Sequence, residues 1–437
     1  MTFCEEEKTY AEEIIAWRRR FHRVPEEGWT EFETTAAVIE RLEALGFSVK
    51  TGTDVINPDA VMGRNPTLVE EAQQRARAAG VSDALLKRMQ GYTGCVGEID
   101  TGRPGKTVGF RFEMDCVVTG ETTSPEHPPV REGFASTRPG LMHACGHDGH
   151  TAVGLGLAHW IADHLGELSG RFVLLFQPAE EGVRGAGAMA ASGIADRLDY
   201  LFAAHAGCEF GPGEVGVLTH GFLATTKLDV YYEGVSAHAG SDPEKGRSAL
   251  ACACQAVTSI LGIPRHSEGS SRIAVGRLVA GEGRNVVPAH AYFQMEVRGA
   301  TTKVNDYMRE EAVRIAKGMA EVYGIRCRVE KAGEAAVFDC DEECVELLET
   351  AAKATPGVKR VTRFTTERGS EDCSLLAKRV REKGGKAGYF CFGCRHCGHH
   401  RPDFDIQDRV SLPEAFGIFV RTIGLLTERA KETKAEA

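Results

Sequence analysis

The chain lacks an excess of basic residues, a basic and apolar amino-terminal leader, and any long uninterrupted apolar run. Its 52 lysine and arginine residues are outnumbered by 62 aspartate and glutamate residues, which gives a net charge of -10 and a pI near 5.9. Such an acidic surface repels nucleic acids and anionic membranes, so neither is expected as a partner. Because the sequence shows neither a leader nor a run long enough to cross a bilayer, we expect the protein in the cytoplasm.

Aromatic residues are also few, at 7%, and the 14 cysteines are spread over 437 residues. Many cysteines in a small secreted domain would indicate disulfides. In a long chain without a leader, most are expected to be free thiols and a few to bind metal. Apolar residues make up 42% of the chain, which is enough for a large core, and the length predicts two domains.

The first half of the chain alternates in the manner of a layered α/β domain. Two amphipathic helices are predicted before Leu45, and a polar insertion with two short helices extends from Thr51 to Gly91. This order predicts a mixed, largely parallel sheet covered by helices, in which the chemistry lies at the strand ends. The elements predicted next are strands Cys95–Ile99 and Thr107–Phe112, a helix from about His150 to Leu165, and strand Arg171–Phe176.

The order of the predicted secondary-structure elements changes after Thr225, where it becomes β-α-β-β-α-β. That order is typical of a ferredoxin-like α+β unit, and further helices and strands follow it. The unit is therefore interpreted as an insertion, residues 219–335, that divides a catalytic domain into residues 1–218 and 336–437. Its predicted elements are strand Lys227–Glu233, helix Ser248–Leu261, strands Arg272–Ala280 and Ala291–Arg298, helix Val304–Tyr323 and strand Arg326–Lys331.

Residues Met142–His150 carry the densest chemical signal, with three histidines, a cysteine and an aspartate in nine positions before a predicted helix. Thiolate and imidazole are ligands for divalent ions such as zinc or manganese. Cys145 and His147 are two residues apart, so they converge if the segment is extended. A polar loop in which Asp148 caps the helix is the alternative, but the clustering favours a metal site.

Two adjacent carboxylates, Glu180 and Glu181, follow a predicted buried strand that ends at Pro178. Neighbouring side chains diverge there, so one carboxylate can hold metal while the other acts as a general base on a bound water. An exposed pair of glutamates in a turn is the alternative. His205 also ends an apolar run, and from the sequence it is either a ligand or a core histidine.

A further group of candidate ligands lies far downstream. Either His399 or His400 could close a metal site. A separate zinc or iron–sulfur site just upstream is an alternative. Buried free thiols are the simpler interpretation, because a zinc site usually consists of two pairs of ligands that a longer spacer separates. The residues of that alternative site are Cys391, Cys394, His396 and Cys397.

Together these motifs resemble those of the M20 metallopeptidase family, and specifically its amidohydrolase branch. The resemblance implies a zinc-exopeptidase-like catalytic domain. The segments Asn57–Gly105 and Ala224–Lys227 narrow the resemblance within that branch. The matching motifs run in the family's order from Arg111 to Phe404, and they are R-x-x-M-D, M-H-A-C-G-H-D-G-H, Q-P-A-E-E-G, A-x-H, S-A-H-A-G, R-N-V-V-P and H-H-x-P-x-F.

The resemblance implies a role for each matching residue. Glu180 would take a proton from a bridging water and pass it to the leaving amine, and Asp115 would support the site. His400 is preferred to His399 by its spacing to the proline and phenylalanine of the last motif. Two divalent ions, manganese or zinc, would be held by five ligands, the first of them bridging: Cys145, His147, Glu181, His205 and His400.

The inserted unit would be the family's lid or dimerisation domain, which implies a homodimer. His238 would stabilise the oxyanion of the tetrahedral intermediate in the site of a neighbouring protomer. Asn285 and Arg298 match positions that hold substrate, and Lys227 is a second candidate for binding an acidic tail. From the residues alone, the alternatives are that His238 is a surface histidine and that Arg298 and Lys227 are solvated charges.

The implied activity is hydrolysis of a small N-acyl amino acid with an acidic tail. The narrower resemblance implies p-aminobenzoyl-glutamate, cleaved to p-aminobenzoate and glutamate, with or without a related companion chain. Another N-acyl amino acid is the enzymatic alternative, and a catalytically silent partner protein is the alternative from a different class. Glu113 and Cys116 depart from the family pattern, which usually has aspartate and alanine at these positions.

Overall fold

Helices and strands alternate along most of the chain in the computed structural model, which describes residues 5–395 and 398–435. The chain divides into two units. Unit 1 comprises Met1–His220, Phe338–Thr366 and Asp372–Ala437, and unit 2 comprises Gly221–Val337 and Glu367–Glu371. Unit 1 thus contains all the predicted metal ligands, and unit 2 contains the predicted ferredoxin-like elements.

The first segment of unit 1 begins with two helices and then alternates strands with helices. Its elements are α1 (Glu5–Arg23), α2 (Phe32–Ala44), β1 (Ser48–Thr51), α3 (Pro66–Ala78), α4 (Asp83–Met89), β2 (Cys95–Asp100), β3 (Thr107–Glu113), α5 (Pro128–Arg131), α6 (His147–Asp163), β4 (Arg171–Gln177), α7 (Ala186–Ala191), β5 (Tyr200–Ala206) and β6 (Glu214–Gly221). The two short helices predicted in the polar insertion correspond to α3 and α4.

Unit 2 follows, and unit 1 then resumes. The elements of unit 2 are β7 (Ala224–Glu233), β8 (Ala237–His238), α8 (Ala249–Leu261), β9 (Ser271–Ala280), β10 (Val286–Val287), β11 (His290–Gly299), α9 (Thr302–Tyr323) and β12 (Arg326–Ala335). The remaining elements of unit 1 are β13 (Phe338–Asp339), α10 (Glu342–Ala354), β14 (Arg360–Thr366), α11 (Cys373–Glu382), β15 (Lys386–Phe392) and α12 (Asp408–Ala435).

The strands of unit 1 form one sheet in the order β1-β2-β4-β3-β5-β15-β6-β13, with β14 paired to β6. The central strands β4, β3, β5 and β15 are parallel, whereas β1, β2 and β6 join the sheet by antiparallel pairing. The predicted mixed, largely parallel sheet is confirmed. Because the carboxyl ends of parallel strands meet at one edge, side chains that follow β3, β4, β5 and β15 are brought together there.

The central strands of unit 1 are buried along nearly their whole length, as expected for parallel strands that helices cover. Phe112 of β3 packs against Phe176 of β4 and Phe419 of α12, with ring centroids 5.6 Å apart in both cases. Gly154 allows α6 to approach this layer, because a Cβ atom there would lie 2.6 Å from the ring of Phe112. The start of α6 is thereby held against the strand ends.

The sheet of unit 2 is antiparallel, in the order β12-β7-β11-β9, and the predicted β-α-β-β-α-β order is confirmed. Helices α8 and α9 pack on one face through small side chains, and both begin at a hydroxyl cap. Ser248 accepts a hydrogen bond from the amide of Ala251, and Thr301 accepts one from the amide of Val304. The additional two-stranded pair of β8 and β10 is not predicted from the sequence.

The sequence analysis predicts that no apolar run is long enough to cross a bilayer. By the criteria of length and composition alone, this prediction is wrong. Among the described residues, the segment Asp408–Arg429 of α12 is long and apolar enough to cross a membrane. However, 72% of its most apolar window is buried inside the structure, and a mostly buried core helix meets the same criterion. Phe416 and Phe419 of this helix belong to the core of unit 1.

Candidate metal centre

One edge of the unit 1 sheet collects the polar residues that the motifs single out. Asp115 follows β3, the two adjacent glutamates follow β4, and His205 lies near the end of β5. Cys145 and His147 flank the start of α6, which packs against these strands. The loop after β15 then adds His399 and His400. The convergence arises because four parallel strands end side by side.

Three of the predicted ligands lie close enough to share a metal ion. One ligand atom from each of Cys145, His147 and Glu181 lies within 4.8 Å of the others. Cys145 Sγ is also 3.5 Å from Nε2 of His205. The Nε2 atom of His147 is buried and has no hydrogen-bond partner among the described residues. A thiol, imidazoles and a carboxylate around this unsatisfied nitrogen suit a divalent transition-metal ion.

The two downstream histidines reach different parts of this group. His399 Nδ1 is 3.6 Å from Cys145 Sγ, and its ring centroid is 5.3 Å from that of His205. His400 Nε2 is 3.2 Å from Oε1 of Glu181, while its side chain is 52% exposed. The structure therefore brings both histidines to the site, whereas the motif spacing selects only His400.

Asp115 orients residues from two different segments. Its backbone carbonyl is 2.9 Å from Nδ1 of His147, so this nitrogen donates and Nε2 is left with a free lone pair. Its carboxylate accepts hydrogen bonds from the amides of Glu180 and Glu181, at 3.0 and 2.9 Å. A residue that supports the site would make such contacts. They form although Glu113, two positions earlier, stands where the family usually has aspartate.

A second buried carboxylate, Glu31, fixes the peptide that precedes the two glutamates. It accepts hydrogen bonds from the amide of Ala179 at 2.8 Å and from the hydroxyl of Thr93 at 2.6 Å. Ala179 has a φ of +51°, a value that residues with a side chain rarely adopt, so the turn needs such support. Burial and the neighbouring Asp115 raise the pKa of Glu31. The sequence analysis did not single out this residue.

Glu113 lies at the centre of a buried chain of hydrogen bonds that includes one arginine. Its Oε1 is 2.7 Å from Nδ1 of His150, and its Oε2 accepts a hydrogen bond from Arg111 at 2.6 Å. The Nε2 atom of His150 accepts a hydrogen bond from the amide of Ala206, which follows His205. Although burial alone would raise the pKa of Glu113, the arginine and the histidine hold it well below its usual range.

The electrostatics of the site favour an added cation. Burial, reinforced by Glu181 and Glu180, raises the pKa of Cys145 well above its usual range. A coordinated metal ion deprotonates a thiol, so the thiolate form of Cys145 and a bound cation would support each other. Burial also opposes ionisation of Glu181, but hydrogen bonding to His400 and the charge of His147 give it a net lowered pKa.

The predicted oxyanion-stabilising histidine and the predicted substrate-binding residues belong to unit 2. His238 is exposed in β8, and its Nδ1 accepts hydrogen bonds from the amides of two following residues. Asn285 precedes β10, the strand that pairs with β8. Lys227 and Arg298 lie on the sheet face opposite α8 and α9, where Arg298 pairs with Glu296 through contacts of 2.8 and 3.2 Å. Their roles toward substrate stay predictions.

The alternative site built on the downstream cysteines is described only in part. Cys391 and Cys394 are buried, as the simpler interpretation expects. His396 and Cys397 lie outside the described residues. A separate metal site formed by these four residues therefore stays an untested prediction.

The chain is similar over most of its length to known hydrolases. Residues 109–424 match the sequence model of Peptidase family M20/M25/M40. The chain is 46% identical over 398 residues to a homolog of one subunit of p-aminobenzoyl-glutamate hydrolase, from Haemophilus influenzae, and the match covers 91% of this chain and 94% of that relative. It is 42% identical over 417 residues to indole-3-acetyl-aspartic acid hydrolase from Enterobacter agglomerans, with 94% of both chains covered.

A solved structure extends the similarity to the fold. The aminobenzoyl-glutamate utilization protein from Klebsiella pneumoniae superposes with a TM-score of 0.82 at 37% sequence identity, and the match covers 97% of each chain. The similarity includes both units, because it leaves only a few per cent of either chain unmatched. The expected fold class and the resemblance drawn from the motifs are both confirmed.

Proposed function

The chain belongs to peptidase family M20/M25/M40, and from this premise we propose that it is a metal-dependent amidohydrolase that cleaves p-aminobenzoyl-glutamate to p-aminobenzoate and glutamate. The observation that carries the proposal is the convergence of Cys145, His147 and Glu181 within 4.8 Å, beside the second carboxylate Glu180. The choice of substrate is supported by the Haemophilus influenzae relative and the Klebsiella pneumoniae structure, both of which are named for aminobenzoyl-glutamate.

The proposed centre holds two divalent ions, manganese or zinc, because its donor atoms suit either metal. Bound there, the ions would lower the pKa of a water molecule and polarise the amide carbonyl. His399 is an additional candidate ligand, because it lies close to Cys145 and His205, although the motif spacing selects His400. The proposed ligands are Cys145, His147, Glu181, His205 and His400.

Glu180 is proposed as the general base. Its side chain is largely buried, its amide is fixed by Asp115, and its Oε2 lies 3.9 Å from Nε2 of His147. A carboxylate in this position would accept the proton of the attacking water and return it to the nitrogen of the leaving glutamate. The neighbouring Glu181 points to His400 instead, so the two carboxylates are assigned separate tasks.

Unit 2 is proposed to be a lid or dimerisation domain. His238 would stabilise the oxyanion in a neighbouring protomer, and Asn285, Arg298 and Lys227 would hold the carboxylates of the substrate. The protein would act as a homodimer or with a related companion chain. A companion is supported by the Haemophilus influenzae relative, which is named for one subunit of its hydrolase. A location in the cytoplasm belongs to the same proposal.

A second candidate substrate is indole-3-acetyl-aspartate. It is supported by the Enterobacter agglomerans relative, whose identity to this chain is close to that of the first relative. Both substrates join an aromatic acyl group to an acidic amino acid through an amide, so one site chemistry serves both. They differ in the length of the amino-acid side chain and in the aromatic group.

The proposal is tested with the purified chain after chelation and after adding back manganese or zinc. We expect metal-dependent release of glutamate from p-aminobenzoyl-glutamate, with a higher kcat/KM than for aspartate release from indole-3-acetyl-aspartate. The reverse preference would establish the second candidate. Activity that survives complete removal of metal would contradict the proposed reaction. The absence of activity with either ion and either substrate would contradict it for the chain acting without a companion.

Two variants separate the base from the ligands. Glu180→Gln is expected to retain metal and to lose turnover by roughly 10²–10⁴-fold, the usual contribution of a general base. Cys145→Ser is expected to lose metal as well, because a hydroxyl is a poor replacement for a thiolate ligand. Metal content and kcat are measured on the same preparations, and equal loss of metal in both variants would contradict the separate roles.

A further inference from the structure

Arg18 of α1 is buried among three carboxylates that come from other segments of unit 1. Its Nε donates to Asp148 at 2.8 Å, one Nη donates to Asp405 at 2.6 Å, and the other lies 3.4 Å from Asp408. The arginine side chain is 1% exposed. Burial alone would lower its pKa, but the three carboxylates raise it, so the guanidinium stays charged.

The partners of Arg18 belong to the two segments that deliver the proposed ligands. Asp148 directly follows His147 at the start of α6, and Asp405 lies in the same loop as His399 and His400. One guanidinium therefore joins a segment near residue 148 to a loop more than 250 positions further along the chain. The hydrogen bonds of Arg18 among the described residues go to Asp148, Asp405 and Asp408 and not to a proposed ligand, so they act on the segments that carry the ligands.

The loop that carries His399 and His400 contacts the rest of unit 1 through several bonds, most of which do not involve a full charge. The amide of His400 donates to the carbonyl of Ala144 at 2.8 Å, and the ring of His399 packs on Phe404 with centroids 5.2 Å apart. Beside these, the contact between Arg18 and Asp405 is a charged link from the same loop to the rest of unit 1. Charge-assisted hydrogen bonds of this kind are stronger and more directional than neutral ones.

We propose that Arg18 is a positioning residue that assembles the two-ion centre by holding the loop of His399 and His400 against the start of α6. An arginine suits this task because its planar fork presents donors in several fixed directions, whereas a lysine offers a point charge. The inference rests on the proposed function in one respect, that two ions bind at these ligands.

Arg19 provides a matched control on the same helix. It donates to Asp408 at 2.8 Å and to Glu132 at 2.7 Å, but it makes no hydrogen bond to Asp148 or Asp405 among the described residues. Its side chain is 21% exposed. Arg19→Lys thus changes a similar arginine, which shares the partner Asp408 with Arg18. It leaves the bonds of Arg18 to Asp148 and Asp405 in place.

The decisive variants are Arg18→Lys and Asp405→Asn. Arg18→Lys keeps a charge but leaves some of the buried carboxylates without a hydrogen-bond donor, and this can prevent folding. Asp405→Asn keeps the shape of the loop and the pair between Arg18 and Asp148. Metal-free full-length chains are titrated with cobalt, and the readouts are the number of ions bound and the thiolate-to-cobalt absorption. Circular dichroism and thermal unfolding of the metal-free chains report whether the fold is retained.

We expect wild type and Arg19→Lys to bind two ions. Asp405→Asn should retain its fold, one ion and the thiolate absorption, and should bind the second ion about 10–100-fold more weakly, as is typical when a residue that orients metal ligands is lost. Arg18→Lys, where folded, should show at least this loss.

Unchanged affinity for both ions in folded Arg18→Lys and Asp405→Asn would overturn the inference. Equal weakening of both ions that follows a loss of thermal stability would also overturn it, because Arg18 would then be merely structural. Fewer than two ions on the wild type would instead refute the proposed two-ion centre, and the inference with it.

Discussion

Unit 1 and unit 2 differ in where they place their charged side chains. In unit 1, Arg111 and Glu113 pair with both side chains fully buried, and Arg18 and Asp148 are nearly so. In unit 2, the layer between the sheet and its two helices is mainly apolar. Its buried polar side chains include Asn305 of α9 and Thr226 of β7, which are uncharged and hydrogen-bond to each other at 2.8 Å. Its ion pairs lie outside, as with Arg314 and Glu311, whose side chains are 67% and 28% exposed.

This difference follows from what each unit has to hold in place. Taking a pair of charges out of water is costly, and the cost is offset only when geometry and hydrogen bonding are nearly complete. In unit 1 the buried pairs cluster behind the strand ends that carry the proposed ligands, where a fixed orientation is needed. Unit 2 obtains its stability from an ordinary apolar layer, so it has no comparable need for buried charge.

The largest expected effect is that of Glu113→Gln, which removes the negative charge at the centre of the buried chain. Arg111 would then lose this partner and keep Asp372, at 3.2 Å, as a charged neighbour. Removing one member of a buried pair costs about 3–5 kcal/mol, and denaturant unfolding of the metal-free protein measures it. Glu113→Asp keeps the charge on a shorter side chain and should cost less. If both variants were as stable as wild type, the buried ion pairs of unit 1 would not contribute measurably to its stability.

The next effect concerns a buried carboxylate of unit 1 that lies away from the proposed centre. Glu414 of α12 is 2% exposed, and its Oε2 has no hydrogen-bond partner among the described residues. Burial raises its pKa to about 7. Because the folded protein holds this proton more tightly than the unfolded chain, the stability contributed by Glu414 is present below its ordinary pKa, near 4.5, and is lost as the pH rises to about 7.

Glu414→Gln should therefore match wild type near pH 4.5 and exceed it by about 2–3 kcal/mol at pH 8, since one unit of pKa corresponds to about 1.4 kcal/mol. Denaturant unfolding of both proteins at several pH values tests this. Glu428→Gln, at an exposed position of the same helix, is the control and should show no such trend. A stability difference for Glu414→Gln that does not change with pH would show that its charge is not the cause.

The elements of both units follow largely from local sequence patterns. The order of strands and helices in unit 2 could be predicted because each element is long and its apolar residues recur with the appropriate period. The pair of β8 and β10 was missed, since two-residue strands are too short to show a period. Helix α12 is not predicted from the sequence either, because Pro413 lies inside it and polar residues such as Glu414 interrupt its apolar pattern.

The proposed ligands could be selected from the sequence because each is part of a short cluster at the end of a strand or at the start of a helix. Their supporting contacts could not be predicted. Glu31 meets Ala179, and Arg18 meets Asp405, only after the sheet has formed. Such pairings leave no periodicity or spacing in a single chain. The same is true of His399, which approaches Cys145 although the motif spacing favours its neighbour.

The smallest effect is expected in unit 2, and it tests the other side of the comparison. Arg314 pairs with Glu311 one helical turn earlier in α9, at 2.5 Å, but both side chains are in contact with solvent. Water and salt screen such a pair, so Arg314→Gln should leave the denaturation midpoint unchanged within error at low and at high ionic strength. A loss comparable to that of Glu113→Gln would mean that unit 2 also depends on its ion pairs. Burial around the proposed centre would then no longer explain why unit 1 keeps its charges inside.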